Sequence, residues 1–166
     1  MDRSKSIALL NHAVADELQA VHQYMYFHFH LDDQGLAPLS MLFKRTAIEE
    51  MMHVEKLADR ILFLKGEVEV APAGPVEKIT DPTAMLKKAM EMEASSQIDY
   101  NKAALECGAN ADSVSKQVFE SLVVDEERHF DQYEKQFEKI ERFGLNYLAL
   151  QSFGNSAEPG AANPNA

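Results

Sequence analysis

Several chemistries are missing from this chain of 166 residues. It holds one cysteine, Cys107, which excludes an internal disulfide framework and any multi-cysteine zinc or iron–sulfur centre. Tryptophan is absent, so no indole can carry radical chemistry. No apolar run approaches the roughly 20 residues that span a bilayer, and the stretch from Met1 to His12 turns polar too early for a signal peptide. Positive charge is scarce: 16 Lys and Arg stand against 27 Asp and Glu, a net charge of −11. That balance argues against nucleic acid or an anionic membrane as the main partner. A soluble, cytoplasmic protein of a reducing compartment is expected. With 46% apolar and 26% charged residues it suits one domain with a core of its own.

Strand signals are also nearly absent, and glycine and proline are confined to a few stretches. They cluster at Asp33–Pro38, Gly66–Pro82 and Gly108–Asp112, and again in a tail from Gly154 to Ala166 that is expected to be flexible. Between them lie four segments of about 25 to 30 residues, the lengths of a helix bundle. Ser4 or Ser6 can cap the first, Pro38 suits the first turn of the second, and Asp81-Pro82 opens the third. Gly108 suits the position after the third helix, and Asp112 can cap the fourth. Short turns make two antiparallel hairpins, and the linker Gly66–Thr80 is long enough to leave the second and third helices parallel. Leu145–Leu150 reads as a short fifth helix. The expected fold is all-α: a four-helix bundle with a long crossover, a domain over 1–153 and a tail over 154–166.

Read in heptads, each long helix gives an apolar or aromatic series interrupted once by glutamate. The series are Leu10, Glu17, Tyr24, Leu31; Phe43, Glu50, Leu57, Leu64; Leu86, Glu93, Tyr100, Cys107; and Phe119, Glu126, Tyr133, Ile140. Four buried carboxylates are therefore predicted, one per helix. Glu17 and Glu50 are equidistant from the first turn, and Glu93 and Glu126 from the last. Glu50 and Glu93 lie 12 and 11 residues beyond Pro38 and Pro82, a mismatch of less than a helical turn. All four should meet at one level.

His53 follows Glu50 by three and His129 follows Glu126 by three, so each histidine shares its glutamate's helix face. Four carboxylates in a low dielectric repel one another and titrate upward unless cations neutralise them. Two divalent metals balance them, with the imidazoles as neutral ligands. Glutamates from two helices with Glu-x-x-His from two others form the di-iron or di-manganese carboxylate arrangement. Oxygen-rich ligation with two histidines suits Fe or Mn, and zinc can occupy it adventitiously.

These residues resemble the bacterioferritin family. Glu17, Glu50-Met51-Met52-His53, Glu93 and Asp125-Glu126-Glu127-Arg128-His129 match its pattern at separations of 33, 43 and 33, and Asp59-Arg60-Ile61-Leu62-Phe63-Leu64-Lys65-Gly66 is similar to the end of its second helix. The resemblance implies a ferritin-like bundle and a hollow 24-subunit shell built of two-fold dimers. It implies a ferroxidase that oxidises Fe²⁺ with O₂ or peroxide at a di-iron centre and stores the ferric product as a mineral. It further implies a ferredoxin-type reductant for iron release. Its ligands carry over to Glu17, Glu50, His53, Glu93, Glu126 and His129, with Glu50 and Glu126 bridging. Tyr24 matches a tyrosine beside the site, an electron donor or a partner of the ligands.

The family also binds one haem b per two subunits through a methionine from each. Met51 matches that ligand, and a rotation of about 100° from Glu50 turns it away from the metal core. Ile48, Leu18, Val21 and Met25 extend the outer apolar surface around it, and Met52 points elsewhere. Where the family carries a histidine and an acid on the cavity wall, this chain has Arg45 and Glu49; arginine cannot be a ligand. His12, His22, His28 and His30 are expected to be solvated or at interfaces, and Cys107 to be a small core residue. Two alternatives stay open: another ferritin-like di-iron or di-manganese oxidase, and a haem-bridged electron-transfer cage subunit. Rubrerythrin is disfavoured, because its second centre needs four cysteines.

Overall fold

The computed structural model describes residues 1–155. Five helices follow one another: α1 (Arg3–Asp33), α2 (Ala37–Phe63), α3 (Pro82–Ala109), α4 (Ser113–Phe143) and α5 (Asn146–Asn155). No strand occurs among the described residues, and none of their helices is long and apolar enough to cross a membrane. The first four helices form two antiparallel hairpins, each packed far more extensively within itself than against the other. This is the expected bundle. All sixteen heptad positions are buried, the four glutamates included.

Above the glutamate level the core is rich in aromatics, with Tyr24, Phe27, Phe43 and Tyr133 beside Leu31, Leu86 and Ile140. Below it the core is aliphatic and small, with Leu10, Val14, Leu57, Ile61, Ala103 and Cys107 around Tyr100 and Phe119. Burying such side chains contributes about 1.5–3 kcal/mol each, which is what lets the bundle hold a polar layer between two apolar ones.

Some helix ends differ from expectation. The cap of α1 is Asp2, not Ser4 or Ser6; its carboxylate accepts from Ser4 N and from the Ser4 hydroxyl. Gly108 does not end α3, which runs on to Ala109, with Asn110 as its cap. The reason is tertiary: Asn110 accepts from Asp2 N and donates to Asp2 O and Ser6 Oγ, so the turn is stretched to meet the start of α1, and Ala111 takes the positive φ. The fifth helix starts one residue later than Leu145 and is longer, reaching Asn155. The tail beyond it, 156–166, lies outside the described residues.

The crossover runs alongside α1 and is held by amide side chains. Asn11 donates to Glu67 O and accepts from Glu69 N; Gln19 does the same with Pro75 O and Gly74 N; Gln23 pairs with both groups of Glu77. Gln34 donates to Thr80 O at its end. At its start, a Cβ on Gly66 would meet Ile7 of α1 at 2.8 Å, so only glycine lets the chain leave α2 so close to α1. The crossover returns the chain to the starting level of α2, and this sets Glu93 beside Glu50.

Candidate metal centre

Each of the four helices brings one glutamate to the middle of the bundle, and α2 and α4 each add a histidine one turn later. Glu17, Glu50, Glu93 and Glu126 are 2% exposed or less, His129 is fully buried and His53 nearly so. His53 Nδ1 lies 2.8 Å from Glu50 Oε2, 3.3 Å from Glu126 Oε1 and 3.5 Å from Glu17 Oε2. His129 Nδ1 lies 3.0 Å from Glu50 Oε1, 3.7 Å from Glu93 Oε2 and 3.9 Å from Glu126 Oε2. Glu50 and Glu126 thus each turn one oxygen toward each histidine, while Glu17 and Glu93 serve one histidine apiece. Two four-residue groups result, Glu17–Glu50–His53–Glu126 and Glu50–Glu93–Glu126–His129, each with its donor atoms within 4.8 Å of one another.

These short approaches are not hydrogen bonds. Both Glu50 oxygens, Glu126 Oε1 and both Nδ1 atoms are buried without an aligned partner. Leaving such groups unpaired costs about 1–3 kcal/mol apiece. Donor atoms that converge without pairing fit a pair of divalent cations, and the all-oxygen-and-imidazole set suits Fe or Mn.

Electrostatics agree. Burial pushes Glu17 well above the usual carboxylate range, and the charges of Glu50 and Glu126 push it further. Glu126 is raised in the same way, and Glu93 is raised by burial and by Glu50. Burial acts upward on Glu50 too, but His129 and His53 outweigh it and hold it down to about 2. Burial favours neutral imidazole, yet the carboxylates raise His129 to about 11 and raise His53 as well. Without metal the layer therefore keeps protons on the imidazoles and on some of the glutamates. Cations that bind there displace them.

The outward nitrogens of the histidines are held by the opposite hairpin. His53 Nε2 lies 3.3 Å from Asp125 Oδ2, and His129 Nε2 lies 2.8 Å from Glu49 Oε2. Once the imidazole is neutral, an Nε2–H donating to a carboxylate leaves Nδ1 with its lone pair facing the site, which is the tautomer a metal needs. Arg128 spans the two carboxylates, 2.7 Å from Glu49 and 2.9 Å from Asp125. Tyrosines hold the outer glutamates in the same crossed manner: Tyr24 Oη donates to Glu93 Oε1 at 2.5 Å and Tyr100 Oη to Glu17 Oε1 at 2.8 Å. The heptad reading placed Tyr100 in the core without its hydrogen bond, and gave Asp125 no role. The signal was present: an acid precedes the glutamate of both Glu-x-x-His pairs.

The Ferritin family model, a ferritin-like domain, matches residues 7–143. Over 148 residues the chain is 37% identical to the bacterioferritin of Rhodobacter capsulatus, covering 89% of this chain and 91% of that protein. The chain belongs to the bacterioferritin family. A second bacterioferritin, from Desulfovibrio desulfuricans, is 33% identical over 147 residues, 89% of this chain and 82% of its own. The X-ray structure of the D. desulfuricans bacterioferritin, described by its diiron site in different catalytic states, matches with a TM-score of 0.89 at 32% identity over 99% of this chain and 95% of that one. The R. capsulatus bacterioferritin structure, with a metal-free dinuclear site and heme iron in a crystallographic special position, matches at 0.87 and 34% identity over 100% and 98%.

The other bacterioferritin-like positions lie mainly on the surface. Met51 is 45% exposed and Met52 52%, so both leave the core and exposure does not separate them. Ile48 is exposed beside them, and Leu18, Val21 and Met25 are half-buried on α1. Arg45 is exposed and far less engaged than Glu49. Among the four α1 histidines, His12 and His22 are exposed, while His28 pairs with Ser40 Oγ at 2.7 Å and His30 packs on Tyr26. Cys107 is a buried core residue, its thiol pushed up to about 11 by burial and Asp112.

Proposed function

We propose that this chain is an iron-storage ferroxidase: it binds two Fe²⁺ per subunit as substrate, oxidises them with O₂ or hydrogen peroxide, and passes the ferric product to a mineral inside a 24-subunit shell. Glu17, Glu50, His53, Glu93, Glu126 and His129 are its iron ligands. The observation that carries this is the double-facing placement of Glu50 and Glu126, each turning one oxygen to His53 and one to His129. That is what two bridging carboxylates between neighbouring cations require, with Glu17 and Glu93 as end ligands. Each Fe²⁺ gives up one electron, and the oxidant takes up the pair. Asp125 and Glu49 keep both histidines in the ligating tautomer. Tyr24 and Tyr100 fix the outer oxygens of Glu93 and Glu17, and Tyr24 is close enough to serve as an additional one-electron donor. The apolar layers above and below keep bulk water from the charged layer.

A haem b shared by two subunits is part of the same reading, and Met51 of each subunit would hold it. An exposed thioether on α2 with Ile48 beside it suits a flat apolar group at a two-fold contact, and a soft, neutral thioether pair favours ferrous haem. The R. capsulatus structure's heme iron in a crystallographic special position fits a ligand supplied twice by symmetry. Held there, a haem would supply one-electron chemistry, on which a ferredoxin-type reductant outside the shell could draw to release iron. Met51→Leu should yield haem-free shells that still oxidise iron; haem retained at wild-type levels would reassign the ligand.

The deciding experiment is stopped-flow oxidation of two Fe²⁺ per subunit. Glu126→Ala removes one bridging carboxylate while leaving room for water, so the rapid phase should vanish in an intact shell. A rapid phase of unchanged rate would overturn the site.

A further inference from the structure

The supports of the metal layer are linked on one side and separate on the other. Tyr24 of α1 holds Glu93 and Tyr100 of α3 holds Glu17, and among the described residues no hydrogen bond joins these two supports. On α2 and α4 the supports of the histidines do meet. Asp125 Oδ2 lies 3.3 Å from His53 Nε2, and Glu49 Oε2 lies 2.8 Å from His129 Nε2. A single nitrogen of Arg128, Nη2, donates to both acids, at 2.7 Å to Glu49 Oε2 and 2.9 Å to Asp125 Oδ1. An unbroken chain of contacts therefore runs His53–Asp125–Arg128–Glu49–His129. Its two ends belong to different four-residue metal groups. The ends are buried, the imidazoles being 7% and 0% exposed, whereas Arg128, Glu49 and Asp125 are 44%, 41% and 34% exposed.

We propose that Arg128 is a positioning residue that couples the two metal positions, so that an ion bound at one orders the imidazole of the other. The inference rests on the di-metal reading of the six buried residues and adds a linkage between the two ions. Long, half-exposed side chains lose rotamer freedom when they are fixed. An ion that takes up His53 Nδ1 fixes that ring, and with it Asp125, Arg128 and Glu49, so His129 already faces the second ion. Ordering completed by the first ion need not be repeated for the second. The same holds in reverse, because coupling between two binding sites is reciprocal. The chain of contacts is no large source of fold stability, since half-exposed ion pairs contribute little. Its charge acts in the opposite sense: a guanidinium near the layer disfavours both divalent ions alike. Orientation and charge can therefore be told apart.

The test titrates Co²⁺ into the metal-free, assembled protein and reads both stepwise constants by calorimetry and visible absorbance. Arg128→Ala should still take up two Co²⁺ per subunit. The ratio of its second stepwise constant to its first should fall about tenfold, the lower end of what partners of metal ligands typically carry. Arg128→Lys should restore most of that ratio, because one ammonium nitrogen can donate to both acids as Nη2 does. Arg142→Gln, which removes an exposed cation of α4 outside the chain of contacts, should match the wild type. An unchanged ratio in Arg128→Ala, with both constants moving together, overturns the coupling and leaves a charge effect alone. Arg128→Lys behaving like Arg128→Ala overturns the bridge through a single nitrogen. A wild-type protein that binds no pair of Co²⁺ ions would instead overturn the di-metal reading itself, a failure of stoichiometry and not of the ratio.

Discussion

The hairpins α1–α2 and α3–α4 carry the same polar residues at positions 76 apart: Glu17 and Glu93, Tyr24 and Tyr100, Glu50 and Glu126, His53 and His129. Even the outer acids, Glu49 and Asp125, keep the offset. The hydrogen bonds that hold Glu17, Glu93, His53 and His129 each cross to the opposite hairpin, so neither half orients these four side chains by itself. Both four-residue metal groups draw on both hairpins. The equivalence stops where one hairpin is finished differently from the other. Leu57 faces Tyr133 in the correspondence, Met52 faces Arg128, and Leu36, a helix start without a side-chain cap, faces Asp112, which caps α4. The matched positions line the candidate metal centre, and the mismatched ones include the two helix starts.

The largest effect should come from breaking the matched set one hairpin at a time. Glu17→Gln and Glu93→Gln each replace a proposed end ligand by a neutral isostere. Each should weaken one of the two ions by more than the roughly 10–100-fold typical of an outer partner, leaving the other bound. Isothermal titration with Co²⁺ should give one tight ion per subunit in both variants. If one variant loses both ions and the other loses none, the hairpins are not equivalent.

An intermediate effect belongs to the mismatched helix starts. Asp112 accepts from Ser115 N and the Ser115 hydroxyl and pairs with Arg60 Nη2 at 2.6 Å. Asp112→Ala should cost about 3 kcal/mol, the sum expected for a lost cap and a broken buried pair, whereas Leu36→Asp should gain at most about 1 kcal/mol. Burial acts upward on the Asp112 carboxyl, but the hydrogen bonds from Ser115 and Ser6 and the pairing with Arg60 outweigh it and hold it down to about 2. A depressed carboxyl stabilises the fold fully above its unfolded value near 3.9 and loses that contribution as pH falls toward 2. The denaturation-midpoint gap between wild type and Asp112→Ala should hold from pH 7 to about 4 and then close.

The smallest effect is at Tyr133. Its hydroxyl is buried without an aligned partner, while those of Tyr24 and Tyr100 donate to Glu93 and Glu17. Tyr133→Phe should leave stability unchanged or raise it by up to about 1 kcal/mol, and a thermal melt showing a clear loss would mean that the hydroxyl is satisfied.

Heptad spacing sufficed for the layers, because a glutamate inside an otherwise apolar series has nowhere to go but the core. Turn midpoints sufficed for their common level, because antiparallel helices pair by distance from the turn. The outer contacts were not legible that way. For Asn11, Gln19 and Gln23 on α1 and Gln34 just past its end, nothing local says which distant backbone they will meet. The Asp2 cap and the shifted end of α3 depend on one another through Asn110, 108 residues from Asp2. His28, expected in solvent or at an interface, is half-buried and pairs with Ser40 Oγ and Ser40 O, across the first turn.

The crossover has no helix or strand of its own, yet the amides of Glu69, Ala73, Gly74 and Glu77 all donate to groups on α1. In hydrogen–deuterium exchange these four should therefore be protected as a set and released together with the amides of α1, although segments of irregular backbone ordinarily exchange at the rate of a mobile loop. Thermodynamically the segment is a fringe of the first helix. Its tethers are uncharged amides, so the cooperative unit they create persists across the acid range in which the carboxylates of the metal layer change their protonation.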